Sequence, residues 1–437
     1  MGPSELEFVL IQSRVRQSEA GGIRGDNCTH YYLADDELIR RTVRSSKPIY
    51  RVPSMKEIAA ISDCGFRVAS TFSGCGGSGL GFRMEGFRIL WANEFVEHAY
   101  KTYRANASTN TIISTEDIRK VQPEDVLSVC GLRAKELDVL EGSPPCQPFS
   151  LAGKRQKSWG KIKKYGDHEQ RADDLFFEFV RLLNGLQPRA FVAENVAGLV
   201  RGVAKGYFKE ILRALKNCGY VVEARLLDAQ WLGVPQARLR VIFQGIRNDL
   251  ETRPTWPKPF AYNYSVAEVM NGITGWGDDV KVVHRADGWP RGTQEIKEQQ
   301  SSPTITTQST MFVSRRGRVS PNSHGDISEY AIGKEAESLP EGGQSAKYFN
   351  LIRASRSKPS PAITASGGAA NTASVIHPTE QRKFTIDELK RICSFPDDFQ
   401  MSGSYSQQWA RIGNSVPPLM MRAVAREIKK VLLGCPV

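Results

Sequence analysis

The stretch Gly142–Ser150, GSPPCQPFS, sets one cysteine, Cys146, among three prolines. Proline fixes its own φ and restricts the residue before it, so Pro144 and Pro145 leave the backbone leading to the thiol little freedom. A thiol aimed in this way suits a nucleophile better than a core filler. The preceding ELDVLEG reads as a strand, and in open α/β sheets ligand chemistry gathers at the carboxyl ends of strands. A second strand end, in RAFVAENV, carries Glu194 and Asn195. A carboxyl there is either kept protonated by burial or substrate contact, or it caps a loop. In QARLRV, Arg238 and Arg240 stand two residues apart on a strand and point the same way. They are either ordinary surface arginines or two hydrogen-bonding cations near one site.

A second group of residues could hold a ligand. STFSGCGGSGLGF follows the first predicted strand and precedes a helix, and Gly74, Gly76 and Gly79 satisfy G-x-G-x-x-G. Glycines permit a tight turn and close backbone approach, and the helix N-terminus behind them favours an anionic group. Glu94 ends the next strand, where an acid accepts hydrogen bonds from a ribose diol. Together these features point to an adenosine-type cofactor. No Lys-Ser/Thr follows, so the loop is not a P-loop. Oxidoreductases, methyltransferases and nucleotide sensors all use such loops, and a glycine turn needed only for packing is the alternative. Asp117, in TEDIRK, is either an acceptor for an adenine amino group or a solvated loop acid.

The elements that must position these residues follow from hydrophobic patterning. From Phe66, apolar β-rich runs alternate with helical stretches such as DLFFEFVRLLNGL and YFKEILRALKNCG. This predicts an α/β fold with a mostly parallel sheet covered by helices on both faces. Residues 1–65 form a polar extension of unknown role, with one helix near Pro53–Ile61. Residues 66–265 form the first domain, and 266–375 a smaller, loop-rich second domain containing the similar phrases SSPTITTQS and PSPAITASG. Residues 376–437 return to the first domain through the helical PPLMMRAVAREIKKVLLG. The eight cysteines are scattered without a CxxC pair, which argues against structural zinc or a disulfide framework and for reduced thiols. The N-terminus lacks the apolar core of a signal peptide, and no run is apolar enough to span a membrane. The net charge of +12 over 437 residues suggests a polyanionic partner, nucleic acid above all, or a solvated basic surface.

Taken in order, FSGCGGSG, NE at 93–94, DI at 117–118, PPCQPFS, ENV, QARLRV, the RASRSKPSPAITASGG region and GNSVPP resemble the cytosine-5 DNA methyltransferases. The resemblance runs from Phe66 to the C-terminal segment. It implies a Rossmann-like catalytic domain that uses S-adenosyl-L-methionine, no metal, and a target-recognition domain at 266–375. It implies that the Cys146 thiolate attacks carbon 6 of a flipped-out cytosine while Glu194 donates to ring nitrogen 3 and accepts from the exocyclic amine. Arg240 would hold the oxygen at position 2, and Arg238 would support the pocket. Phe72 would lie on the adenine and Glu94 on the ribose, with Asp117 and Ile118 bordering the adenine. Gly74, Gly76 and Gly77 would line the methionine part, and Asn414 and Ser415 would return from the C-terminus to the same pocket. One position departs from the family: two residues before Phe72 the family usually has Asp, and here stands Ser70. Cys75 occupies a variable position.

The resemblance further implies double-stranded DNA as partner. In the family the segment after Ser150, here with seven Lys/Arg against two acids, is a mobile loop that closes over DNA. In the second domain Arg315, Arg316 and Arg318 form a basic cluster, for which phosphate contact is the commoner role and guanine reading the rarer one. A monomer in a prokaryotic cytoplasm is expected, acting in restriction-modification, with a cognate restriction endonuclease on the same site left open. Three rivals remain. A transfer RNA cytosine methyltransferase shares the catalytic motifs, but the sizeable variable domain favours duplex DNA. An oxidoreductase leaves Cys146, Glu194 and Arg240 unexplained. A catalytically silent DNA-binding protein would carry a damaged motif, and the key catalytic positions are intact.

Overall fold

The computed structural model describes residues 47–145, 175–200, 204–270 and 325–435, with the backbone of two short paired strands, Lys163–Tyr165 and His168–Gln170. Cys146, the rest of the basic segment, and Arg315, Arg316 and Arg318 lie outside the described residues.

Seven strands make one sheet: β1 (Arg67–Thr71), β2 (Arg88–Asn93), β3 (Ile112–Ser114), β4 (Val139–Gly142), β5 (Ala190–Val196), β6 (Tyr220–Asp228) and β7 (Leu239–Arg247). Their order is β3-β2-β1-β4-β5-β7-β6. All neighbours pair in parallel except β7, which runs antiparallel to both β5 and β6. From β1 the chain winds outward to β2 and β3, and from β4 it winds the other way. The crevice where such a sheet binds ligands therefore opens at the carboxyl ends of β1 and β4.

The central strands β1, β4 and β5 are buried almost throughout because both faces of the sheet are covered there. In β5, Phe191 and Ala193 pack with Phe176 and Phe179 of α4 (Leu175–Leu186) and Ile211 of α5 (Lys205–Asn217). Ala190 and Val192 face the other way, onto Phe82 of α1 (Gly77–Arg83), Tyr103 of α2 (Glu97–Asn106) and Met420 and Val424 of α8 (Pro418–Leu433). The C-terminal helix packs on this face of the sheet. It lies against α1 so closely that a Cβ on Gly81 would sit 2.7 Å from the Pro418 carbonyl oxygen. Glu85 pairs with Arg422 and Arg426 of the same helix.

Two elements escape the sequence reading. β3 has three residues, Ile112–Ser114, too short for its two isoleucines to make a pattern, and none of them is buried. Helix α3 (Pro123–Cys130) has its signals at the ends: Pro123 in the first turn and Gly131 in the left-handed region at the C-cap. The helix expected near Pro53–Ile61 spans Met55–Ala59, capped by Ser54 and Glu57. Its Ile58 joins a third apolar cluster with Leu80 and Met84 of α1, Val266, Ile363, Phe384, Leu389 of α6 (Ile386–Ile392) and Trp409 of α7 (Tyr405–Asn414). Residues 325–353 carry a smaller cluster of their own, around Ile327, Ile332 and Leu351. Ile352–Arg353 pair in parallel with Val375–Ile376. Among the described residues no helix is long and apolar enough to cross a membrane.

Candidate active site

A cleft of about 760 Å³ opens at the carboxyl ends of β1, β2, β4 and β5. On the β1 side the chain must turn from strand to helix within five residues, and the backbone shows the cost. Phe72 adopts a positive φ of 50°, rare for a bulky side chain, and Gly74 and Gly76 follow at 57° and 96°. Strain of this kind collects where function fixes geometry. Phe72 and Gly74 line the cleft. A Cβ placed on Gly74 would meet nothing within 4 Å, so the missing side chain leaves open space. Gly76 and Gly77 line packing contacts rather than the cleft. A Cβ on Gly76 would meet the Tyr103 ring at 3.1 Å, and one on Gly77 would meet Ser415 Oγ at 2.1 Å and the Val416 carbonyl oxygen at 2.3 Å.

Glu94, just past β2, is buried in the cleft wall. One carboxylate oxygen accepts from the Gly74 N–H at 2.8 Å and the other from the Val96 N–H at 2.7 Å. Burial raises its pKa against these backbone bonds. Ile118 is buried beside it, and Asp117 borders the same cleft while accepting from the Arg119 N–H at 3.1 Å. Asn414 and Ser415, at the end of α7, reach the cleft from the C-terminal segment. The Cys75 thiol is buried and pushed up to about 11 by desolvation.

Across β4, charged side chains take over. Glu194 of β5 and Arg240 of β7 both line the cleft, and Glu194 Oε1 lies 2.8 Å from Arg240 Nε. The antiparallel register sets Arg240 opposite Val196, so the ion pair runs diagonally between the strands. Arg238 also lines the cleft but has different partners. It is 2% exposed and donates to the Ile363 carbonyl at 3.0 Å and the Gly413 carbonyl at 2.9 Å. Burial, helped by the Arg240 charge, lowers its pKa to about 9. The two arginines thus divide the work: one faces Glu194, the other braces the cleft wall. Asn195 donates through Nδ2 to the Pro144 carbonyl at 3.1 Å, tying the end of β5 to the prolines that precede Cys146.

Sequence reasoning missed three contributors. Ala362–Ser366, from the phrase PSPAITASG, form one wall of the cleft. Lys383 holds the segment just beyond: its buried ammonium donates to the carbonyls of Gly367 and Ala369, and to that of Thr372 at 2.9 Å. A buried carboxyl on β4, Glu141, bonds to the hydroxyls of Ser70 and Ser78 behind the glycine loop. The signal for Glu141 was an acid inside an apolar strand run. Among the described residues no three His, Cys, Asp or Glu side chains gather as a metal site would require.

The profile of C-5 cytosine-specific DNA methylases matches residues 66–430. The type II methyltransferase M1.HphI of Haemophilus parahaemolyticus is 31% identical over 361 residues, covering 82% of this chain and 86% of that protein. The type II methyltransferase M.DdeI of Desulfomicrobium norvegicum is 30% identical over 389 residues, covering 83% and 88%. A DNMT2 mutant from Spodoptera frugiperda shares the fold at a TM-score of 0.53 and 17% identity, over 83% of this chain and 99% of that one. With a profile spanning nearly the whole described chain, and a Rossmann-like sheet whose crevice holds the matching strand ends, the chain belongs to the C-5 cytosine-specific DNA methylase family and is a DNA cytosine-5 methyltransferase.

Proposed function

We propose that this cleft methylates carbon 5 of a cytosine flipped out of duplex DNA, through a covalent adduct with Cys146, and that the modification protects host DNA from restriction. The observation that carries the reading is the largely buried Glu194–Arg240 pair, joined through Asn195 to the Pro144–Pro145 approach to Cys146. A cytosine edge presents oxygen 2, nitrogen 3 and the amine side by side. Entering the pair, it offers Arg240 the oxygen and Glu194 the nitrogen and the amine, so each charged group exchanges one partner for another. The Cys146 thiolate adds to carbon 6 while Glu194, which takes up a proton from solvent once Arg240 has turned to the base oxygen, donates that proton to nitrogen 3, which makes carbon 5 nucleophilic. After methylation, a water takes the carbon 5 proton, the thiolate leaves carbon 6, and the nitrogen 3 proton returns to Glu194, which restores the ring. Extruding the base costs a few kcal/mol, offset by these contacts.

The family implies S-adenosyl-L-methionine as donor, and the residues present fit it. The open space at Gly74, the ring of Phe72 and the buried carboxylate of Glu94 form an apolar and acidic cradle suited to an adenosine. When bound, this cofactor supplies an electrophilic methyl group on a sulfonium. Glu94 accepts the ribose hydroxyls, Ile118 and Asp117 border the base, and Asn414 and Ser415 close the cleft from the C-terminal side. Gly76 and Gly77 act one layer behind, by letting α1 and the Ser415 turn approach. The protective role is supported by the type II relatives, which belong by name to modification enzymes.

Incubation with tritiated S-adenosyl-L-methionine and either duplex DNA or transfer RNA tests the reading. Label is expected in DNA, and label only in RNA would sink it. Cys146→Ala is expected to abolish the stable adduct with DNA containing 5-fluorocytosine. Persistence of that adduct would exclude Cys146.

A further inference from the structure

β1 and β4 lie side by side with Ser70 directly opposite Glu141. Glu141 is 1% exposed, among the most deeply buried acids described. Burying a carboxyl in a sheet core is costly unless its oxygens find partners, and an apolar residue would pack there without that cost. Both Glu141 oxygens have partners, on the two elements that flank the cofactor loop. One accepts the Ser70 hydroxyl, and the other accepts the Ser78 hydroxyl at 2.6 Å. Ser70 Oγ lies 2.7 Å from Ser73 Oγ, which extends the chain of bonds into the loop itself. A single carboxyl on β4 therefore gathers the end of β1, the loop and the first turn of α1. The strained Phe72 and the open Gly74 lie between these anchors. Position 70 itself carries a serine, and the acid here stands on the facing strand.

We propose that Glu141 is a positioning residue for the methyl-donor loop: from β4 it holds Ser70, Ser73 and Ser78 so that Phe72 and Gly74 keep the conformation that faces the cofactor. The assignment rests on the reading that this loop holds S-adenosyl-L-methionine. Glu141 touches neither donor nor base, so its removal acts on the affinity for the donor and leaves the chemical step largely intact. Glutamine at 141 still accepts one hydroxyl and donates to the other, whereas alanine does neither.

The test is calorimetric titration of the full chain with S-adenosylhomocysteine, paired with steady-state methylation of duplex DNA. Wild-type protein is expected to bind; failure to bind would overturn the cofactor reading itself, before Glu141 enters. Glu141→Ala should weaken binding about tenfold, the scale of a lost charge-assisted hydrogen bond, and raise the KM for the donor while kcat stays within about threefold. Glu141→Gln should recover most of the affinity, and Ser70→Asp combined with Glu141→Ala should recover part of it. If Glu141→Ala does not fold, Ser78→Ala carries the test, with a weakening of about threefold to tenfold expected. Wild-type affinity in Glu141→Ala, or in Ser78→Ala where the first is unfolded, would overturn the proposal. So would a loss confined to kcat.

Discussion

On the β1–β3 side of the cleft the polar groups are acids held by backbone: N–H groups of Gly74 and Val96 hold the Glu94 carboxylate, that of Arg119 holds Asp117, and Gly74 leaves room rather than a contact. On the β5–β7 side they are charged side chains, with Glu194 against Arg240 and Arg238 on two carbonyls. On the proposed function the two sides face different tasks. A cofactor that the enzyme must bind and release is held by shape and by groups that need no rearrangement. A base whose electrons must move requires charge aimed at particular ring atoms, in a place where water does not screen it. The antiparallel β7 serves the second task. It runs back along β5 and so brings an arginine near its start beside an acid near the end of β5.

If this division is real, the two sides fail differently. Glu194→Gln should lower kcat by a factor on the order of 10² to 10⁴, the range for loss of a general acid, and leave the affinity for S-adenosylhomocysteine unchanged. Glu94→Ala should do the reverse, weakening that ligand by a factor on the order of ten, with kcat at saturating donor much less affected. Single-turnover methylation and calorimetry on the two variants separate the effects. Equal losses of affinity in both would mean that the cleft acts as one unit and that the comparison is false.

Glu141 sits between the two sides and offers a way to sharpen the comparison. Burial, with the Glu194 charge adding to it, raises its pKa from 4.5 to about 7, although the Ser70 and Ser78 hydroxyls pull the other way. Tyr103, on α2, is the other titratable group it faces, and burial with the Glu141 charge raises that phenol well above its ordinary range. An acid with a raised folded pKa keeps a proton that the unfolded chain has already released. Its contribution to stability is therefore fully present below about pH 4.5 and is lost as pH rises through about 7. The loss is on the order of 3 kcal/mol. Denaturant melts of wild type and Glu141→Gln at pH 5 and pH 8 isolate this part: the wild type should lose more stability across the interval than the variant. Parallel curves would show that Glu141 does not titrate there.

The sequence made some of this readable and hid the rest, for physical reasons. The strands buried on both faces announce themselves as apolar runs, and acids or arginines at their ends stand out, so Glu94, Glu194 and Arg240 could be named without coordinates. β3 was silent because its three residues, two of them isoleucine, are too few to show a pattern. What stayed hidden were partners brought together from distant parts of the chain. Arg238 looks like a twin of Arg240 in QARLRV, yet it bonds to carbonyls 125 and 175 residues further on. Lys383 gives no local sign that it will hold the end of the ITASGG wall. The glycine pattern was legible as a loop, but not which glycines face a ligand and which face another helix.

That last distinction yields the smallest of the expected effects. Gly74 and Gly77 belong to one motif, and the family resemblance gives both to the cofactor. The coordinates place open space at the first and the Ser415–Val416 turn at the second. A methyl group on Gly77 would press against Val416 backbone, which cannot swing aside as a long side chain could, and α1 would have to shift from the C-terminal segment. Gly77→Ala should therefore cost about 1–3 kcal/mol of stability, the usual scale of overpacking, with donor affinity falling only as far as Ser415 is displaced. Gly74→Ala introduces its methyl into the cleft at a positive φ, so it should weaken S-adenosylhomocysteine more than it lowers the melting temperature. Thermal unfolding and calorimetry on the pair decide the matter. If Gly77→Ala were the variant that lost ligand affinity at full stability, the glycine would face the cofactor after all, and the backbone-built side of the cleft would extend one turn deeper into α1.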